Sequence, residues 1–100
     1  MIRFQRVLRT AGGKGVEATQ WAKEITEYIN GKHSEATLQV FSPRFGDVSS
    51  IVWQVDFENL AALDQYQQSL NTDEGYWTLV NKGTELFIEG SLFDTAFESL

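Results

Sequence analysis

The sequence of 100 residues contains no cysteine, one histidine and one proline. Without cysteine the chain can form no disulfide, no thiolate metal site and no thiol nucleophile. A single histidine also argues against a zinc site built from protein side chains alone. We therefore predict neither a bound metal nor another cofactor.

Positive charge is scarce as well, because eight lysines and arginines face fourteen acidic residues and leave a net charge of −6. Nucleic acids and anionic membranes are bound by basic surfaces, so this balance predicts neither as a partner. No apolar run is long enough to cross a bilayer. The first ten residues alternate instead of forming the apolar block of an export signal, which predicts a cytoplasmic location.

The chain is rich in apolar residues, since 42% of its residues are hydrophobic and 13% are aromatic. Its length corresponds to one domain, spanning residues 1–100. A chain of this size buries only about two-thirds of its unfolded surface when it folds. We therefore expect a partner or a pocket to cover part of the aromatic surface.

The periodicity of the sequence predicts the element order βαββαβ. Alternation predicts strands at residues 2–9, 37–41, 50–57 and 85–91. Apolar residues three and four apart predict a helix over residues 16–30, which Gly31 should stop, and another from Leu60 with Asn59 as its N-cap. This second helix should break near Asn71, with Thr72 or Asp73 capping a further stretch to about Gly83. Two right-handed βαβ units joined by a hairpin give a ferredoxin-like α+β fold, a four-stranded antiparallel sheet with its helices on one face.

Side-chain parity divides the predicted sheet into two faces. The face toward the helices carries Phe4, Leu8, Ile51, Trp53, Val55 and Phe57. The opposite face is mixed, and Phe87 and Glu89 would join it if the last strand follows the same parity. This face is either half-solvated, as in many antiparallel sheets, or it meets the same face of a second chain. In the second case the predicted dimer interface consists of Arg3, Val7, Phe41, Val52, Gln54 and Asp56.

Three segments resemble a known protein family: VWQVDFENLAAL at residues 52–63, NTDEGYW at 71–77 and LFIEGS at 86–91. They resemble small NIPSNAP-like members of the dimeric α+β barrel group, which also includes relatives of the antibiotic biosynthesis monooxygenases. The resemblance extends to about Leu92 and implies a homodimer in which two sheets pack face to face into a barrel. It also implies that any ligand cavity lies between a sheet and its own helices.

The activities within that group differ in how well they match this chain. Haem-degrading members carry an Asn on the first strand and a His on the second helix, whereas here the first strand has no Asn and the only histidine is His33. If the chain is an enzyme, the resemblance therefore implies a cofactor-independent monooxygenase or an isomerase. The alternative is a homodimeric interaction module without a substrate.

Arg6 is the most informative candidate for a ligand site. Its parity places it on the helix side, between Phe4 and Leu8, where an unpaired guanidinium is costly. It either binds an anionic group of a ligand, or it pairs with an acid such as Glu24 or Glu85, or its head reaches solvent. The predicted pocket for a small planar molecule, aromatic or quinone-like and anionic if Arg6 binds it, consists of Arg6, Trp21, Tyr28, Trp53, Tyr66 and Trp77. Aromatic residues at helical spacing are also typical of a plain core.

Three other features of the sequence indicate structural roles rather than catalytic or ligand-binding ones. His33 lies in a polar turn, which favours a surface position over a role as general base. The glycine-rich segment at residues 12–15 lacks the spacing of a phosphate-binding loop and indicates a flexible connection. Asp73 and Glu74 are typical of a helix N-terminus.

Overall fold

A computed structural model describes all 100 residues. The strands are β1 (Ile2–Arg9), β2 (Gln39–Phe41), β3 (Ser50–Phe57) and β4 (Phe93–Glu98). The helices are α1 (Gly15–Lys32), α2 (Leu60–Asn71) and α3 (Glu74–Gly83), followed by a 3-10 turn at Thr84–Leu86. All strand pairs are antiparallel, in the order β2-β3-β1-β4. The α+β ferredoxin-like fold is confirmed, with α2 and α3 in the place of one second helix.

The core lies between the sheet and the helices, as the parity of the strands predicts. Strand β3 supplies alternating buried residues, of which Val55 is 2% exposed. Helix α1 faces them with a buried stripe of Ala18, Trp21, Ala22, Ile25 and Ile29. The two longest periodic segments of the sequence therefore form the two halves of the core. None of the helices combines the length and apolarity that a membrane crossing requires.

Side-chain caps begin both later helices. The Asn59 side chain accepts a hydrogen bond from the backbone N–H of Ala62, and Asp73 accepts one from the backbone N–H of Tyr76. Both contacts satisfy amides that have no partner inside the helix. Asn59 is the predicted cap of α2, and Asp73 is one of the two residues predicted to cap α3; the other, Thr72, ends α2.

The prediction that Gly31 ends α1 is wrong. The helix continues to Lys32, and the only glycines with positive φ are Gly13, Gly46 and Gly90. The backbone N–H of His33 still donates to the carbonyl of Ile29, which completes the last turn.

The last strand also differs from the prediction, since residues 93–98 form β4 and residues 85–91 do not form a strand. Phe87 makes one isolated bridge with Thr10, and its ring packs against Trp21 and Trp53 at centroid distances of 5.4 and 6.4 Å. Phe87 therefore packs against the core and does not join the face of the sheet away from the helices. Glu89 lies in an exposed turn that ends at Gly90. This segment therefore makes one bridge beside the end of β1 while its aromatic ring packs in the core.

Candidate functional site

Arg6 lies at the centre of β1, opposite Trp53 in β3 and Asp94 in β4. Its Nε and Nη2 atoms donate to the two carboxylate oxygens of Asp94 at 2.8 and 2.9 Å. These hydrogen bonds raise the pKa of the Arg6 guanidinium. The side chains of Arg6 and Asp94 are each one third exposed. Arg6 therefore pairs with an acid, one of the predicted alternatives, but that acid is Asp94 and not Glu24 or Glu85; Glu24 instead lies 3.6 Å from Lys82. The Arg6 guanidinium is therefore already neutralised by a bidentate partner.

Trp21 and Trp53 lie side by side in the core beneath this ion pair. Their rings meet edge to face at a centroid distance of 6.1 Å. The indole N–H of Trp21 donates to the carbonyl of Leu79 at 2.8 Å, and that of Trp53 donates to the hydroxyl of Thr26 at 3.1 Å. Both tryptophans are thus buried with their polar atoms satisfied, as core residues are.

Tyr66 is the exception among the buried polar groups. It is 3% exposed, its ring packs on Phe57 at 5.2 Å, and its hydroxyl has no hydrogen-bond partner. Burial raises the pKa of the Tyr66 phenol, and the Glu35 carboxylate and Tyr76 add to the effect. Tyr76 also contributes, after Asp94, to the raised pKa of Arg6. Tyr76 therefore contributes to the raised pKa of both the unpartnered Tyr66 hydroxyl and the paired Arg6 guanidinium.

Tyr28 and Trp77 lie elsewhere. The Tyr28 hydroxyl donates to Asp73 at 2.7 Å. Trp77 is 42% exposed on α3, and its indole N–H donates to the carbonyl of Asn71. The six residues of the predicted pocket thus fall into several separate environments.

A buried polar cluster around Asp73 is the main feature that sequence reasoning missed. The Nε2 atom of His33 lies 2.7 Å from one carboxylate oxygen of Asp73, whose side chain is 3% exposed. The other oxygen accepts from the Tyr28 hydroxyl, from Lys32 at 3.3 Å and from the amide of Tyr76 at 3.2 Å. These contacts, His33 first, hold the pKa of the Asp73 carboxyl far below its usual range.

The prediction that His33 lies on the surface is wrong, since the residue is only 8% exposed. Helix α1 runs two residues farther than its apolar pattern, which carries His33 to the junction of α2 and α3. A side chain at Gly75 would collide with the Tyr28 hydroxyl, so this glycine allows α1 to approach α3. The cluster joins the end of α1 to the start of α3, and the only sequence signal for it was the cap at Asp73.

Neither of the two clefts that stand out on the surface includes Arg6. One of about 620 Å³ lies beside α2 and is mostly polar, with Glu35, Phe57 and Gln68 in its wall. The other, of about 380 Å³, lies at the edge formed by β2 and β3. The one histidine and the acidic residues nowhere form a group of three or more side chains that could hold a metal ion.

The face of the sheet away from the helices carries three rows of side chains, which we call the open face. The strand registers place Phe41, Val52, Val7 and Phe93 in the apolar row; Gln39, Gln54, Gln5 and Thr95 in the amide row; and Asp56, Arg3 and Phe97 in the charged row. In the charged row Arg3 donates to both oxygens of Asp56, at 2.9 and 3.1 Å. Phe41, Phe93 and Phe97 are 46%, 67% and 48% exposed. The six residues of the predicted interface all belong to this face.

Comparison with known proteins identifies the fold. An uncharacterized NIPSNAP domain protein from Burkholderia xenovorans superposes on the chain with a TM-score of 0.82 and 15% identity, covering 100% of this chain and 95% of that one. The fold is that of the NIPSNAP structures. A NIPSNAP family protein from Agrobacterium tumefaciens gives a TM-score of 0.77 with 18% identity, covering 99% and 92% of the two chains.

The same fold occurs in a candidate antibiotic biosynthesis monooxygenase from Deinococcus radiodurans, with a TM-score of 0.71, 14% identity and coverage of 99% and 92%. The resemblance inferred from the sequence is confirmed at the level of the fold. No model of a protein family matches the chain, and no curated protein does so either.

Proposed function

We propose that this protein acts as a homodimer and binds a small planar molecule in the space between its sheet and its helices. The observation that carries the binding half is the hydroxyl of Tyr66, which is buried without a partner. A buried polar group without a hydrogen bond costs about 1–3 kcal/mol, so a ligand that supplies the missing bond gains that free energy. A hydroxyl or carbonyl substituent on an aromatic ring has the right chemistry.

The charge of the Arg6–Asp94 pair limits which ligands the proposed site can bind. Asp94 already neutralises Arg6, so the pair presents dipoles and no net charge. The ligand is then neutral or weakly acidic, such as a phenol or a quinone, and not a full carboxylate. The ring of Phe57, at a centroid distance of 5.2 Å, provides flat apolar surface beside Tyr66.

The dimer half of the proposal is supported by the open face. Its apolar row crosses all four strands, and the two phenylalanines at its ends are largely exposed. A continuous apolar band on a sheet is typical of an interface. Covering it with the same face of a second copy produces closed two-fold symmetry, the commonest form of assembly.

A catalytic role rests on the comparisons alone. A protein of the same fold is described as a candidate antibiotic biosynthesis monooxygenase, so the reaction to test here is cofactor-independent oxidation or isomerisation of the bound ring. A second candidate function is a homodimeric interaction module without a substrate. The bidentate pairing of Arg6 with Asp94 favours that alternative, because it leaves the only cation on this side of β1 fully engaged.

Fluorescence titration distinguishes the two functions. Menadione and the hydroxynaphthoquinone lawsone are added to the protein, and quenching of its tryptophans is compared with quenching of free N-acetyltryptophanamide. We expect saturable quenching that weakens about tenfold in Tyr66→Phe, which lacks the unpartnered hydroxyl. The control Tyr28→Phe should bind as the natural chain does, because its hydroxyl is already bonded to Asp73.

Quenching no stronger than that of the free amide would refute ligand binding and leave the interaction module. Sedimentation at micromolar concentration tests the dimer separately. A monomer there would refute both the dimer and the interaction module.

A further inference from the structure

The polar cleft of about 620 Å³ is lined by helix α2, by the end of β3 and by the segment that follows α1. Its wall contains Glu35 from that segment, Phe57 from β3, and Gln65, Gln68 and Ser69 from α2. Small-molecule sites in proteins have volumes of about 300–1,000 Å³, with a few polar groups that fix the ligand. The cleft therefore has the size of a ligand site, and three separate parts of the chain contribute to it.

Glu35 gives this cleft an unpaired negative charge. It is the only charged residue in the wall, it is exposed, and it takes part in none of the ion pairs of the chain. Lys32, the nearest lysine or arginine in the sequence, is instead bonded to Asp73 at 3.3 Å. The side-chain amides of Gln65 and Gln68 are exposed as well and can donate or accept hydrogen bonds. The cleft thus offers one free carboxylate together with neutral polar groups.

The unpartnered hydroxyl of Tyr66 is associated with the same wall. Tyr66 follows Gln65 in α2, is 3% exposed, and packs its ring on Phe57 with 5.2 Å between the centroids. Burial raises the pKa of its phenol, and the Glu35 carboxylate raises it further. A protonated amine suits both groups, because it neutralises the carboxylate and donates a hydrogen bond to the phenol oxygen.

We propose that this cleft binds a protonated amine, whose ammonium group pairs with Glu35 and donates to the hydroxyl of Tyr66. The hydroxyl is covered in the free chain, so the wall opens slightly when the second contact forms. The inference goes beyond the proposed function, because the ammonium site needs neither a planar ring nor a second copy of the chain. The ammonium group belongs either to a small free amine or to a substituent of the proposed planar ligand.

The charge of the whole chain also favours a cationic ligand. A net charge of −6 attracts cations and speeds their association. An aliphatic amine keeps its positive charge at pH 7, since its pKa is close to the value of about 10.4 for lysine. A ligand that carried a carboxylate or a phosphate would instead bring a like charge to Glu35. The cleft should therefore discriminate between ligands of the same size by the sign of their charge.

Three phenols that differ at the end of a short side chain test this discrimination. Tyramine ends in an ammonium group, tyrosol in a hydroxyl and 4-hydroxyphenylacetate in a carboxylate. Each is titrated into the ¹⁵N-labelled natural chain at pH 7, and the backbone and glutamine side-chain amides are followed by NMR. We expect tyramine to bind at least tenfold more tightly than 4-hydroxyphenylacetate, with tyrosol between them. The largest changes in chemical shift should occur at Glu35, Gln65 and Gln68.

Two matched variants separate the cleft from the net charge of the chain. Glu35→Gln should bind tyramine about fivefold more weakly and lose the preference for tyramine over tyrosol. Glu27→Gln removes the same charge from the exposed side of α1 and should bind as the natural chain does. Equal binding of the three phenols would overturn the inference. An equal loss in both variants, or chemical-shift changes confined to another surface, would overturn it as well.

Two further titrations identify the source of the amine and separate this inference from the proposed function. Saturable shifts of the same amides with propylamine would assign the site to a free amine, and their absence beside tyramine binding would assign the ammonium to a ligand with a ring. Menadione carries no charge, so its quenching should be the same in Glu35→Gln as in the natural chain. Tyramine selectivity without quinone binding would overturn the proposed planar ligand alone. Quinone binding without tyramine selectivity would overturn the amine site alone.

Discussion

Two tyrosines of this protein should respond in opposite directions to the same substitution. Replacing Tyr66 or Tyr28 with phenylalanine removes one oxygen atom and leaves the ring in place. The Tyr66 hydroxyl is buried without a partner, whereas the Tyr28 hydroxyl donates to Asp73 at 2.7 Å. Tyr66→Phe should therefore stabilise the fold, and Tyr28→Phe should destabilise it.

The expected magnitudes follow from the environments of the two hydroxyls. An unpaired buried polar group costs about 1–3 kcal/mol, and Tyr66→Phe removes that cost without leaving a cavity, because Phe keeps the packing on Phe57. The hydrogen bond that Tyr28→Phe removes ends on a carboxylate, and bonds to charged groups contribute about 1.5–3 kcal/mol. The other contacts of Asp73 remain, so the lower end of that range applies.

Urea unfolding followed by tryptophan fluorescence measures both changes. For a domain of this length 1 kcal/mol shifts Tm by about 4–8 °C, so thermal unfolding should separate the two variants clearly. The slope of the urea transition should stay the same in both, because neither substitution changes the surface exposed on unfolding.

A destabilised Tyr66→Phe would refute the reasoning. It would show that the hydroxyl has a bonding partner in solution and is not available to a ligand. The binding half of the proposed function would then lose the observation that supports it.

Two further predictions concern the contacts between the helices. Gly83→Ala should destabilise the protein by about 1–3 kcal/mol, because the added methyl group meets the indole of Trp21. The control Gly31→Ala, within α1 and facing open space, should instead stabilise it by about 0.5–1 kcal/mol in the same urea assay. An equal effect of both would contradict the packing of α3 on α1.

The loss of folding stability at low pH should depend on Asp73. Its pKa is lowered in the folded state, so the stability it contributes is present above the unfolded value of about 4 and is lost as the pH falls below that value. Asp73→Asn should flatten this loss in urea unfolding below pH 4, and exposed Asp64→Asn should not. His33→Ala should flatten it too, since His33 is the largest cause of the shift; an unchanged loss at low pH in both variants would contradict this assignment.

The sequence predicted those elements whose own residues determine their shape. Strand β3 alternates over its full length, and α1 repeats its apolar residues at helical spacing, so both were located within a few residues. The caps at Asn59 and Asp73 were also predicted, since a cap is decided by residues adjacent in the chain.

The prediction from sequence failed where the local structure depends on residues that are distant in the chain. The segment around Phe87 has the composition of a strand, but it makes only an isolated bridge with Thr10, and its ring packs against Trp21 and Trp53. The last strand therefore lies later in the chain than predicted. Because that strand contains Asp94, the partner of Arg6 was not predicted. The burial of His33 likewise depends on Asp73, which is 40 positions away.

Strand β4 gives the single chain an unequal distribution of local stability. It lies at one edge of the sheet, contacts mainly β1, and has no buried residue, since even Ala96 on the helix side is exposed. Its amide hydrogens should therefore exchange with solvent through local fraying well before those of β3. In the proposed dimer the second copy covers Phe93 and Phe97, so their protection should rise with protein concentration while that of β3 changes little. Hydrogen exchange in β4 would then report whether a partner is present.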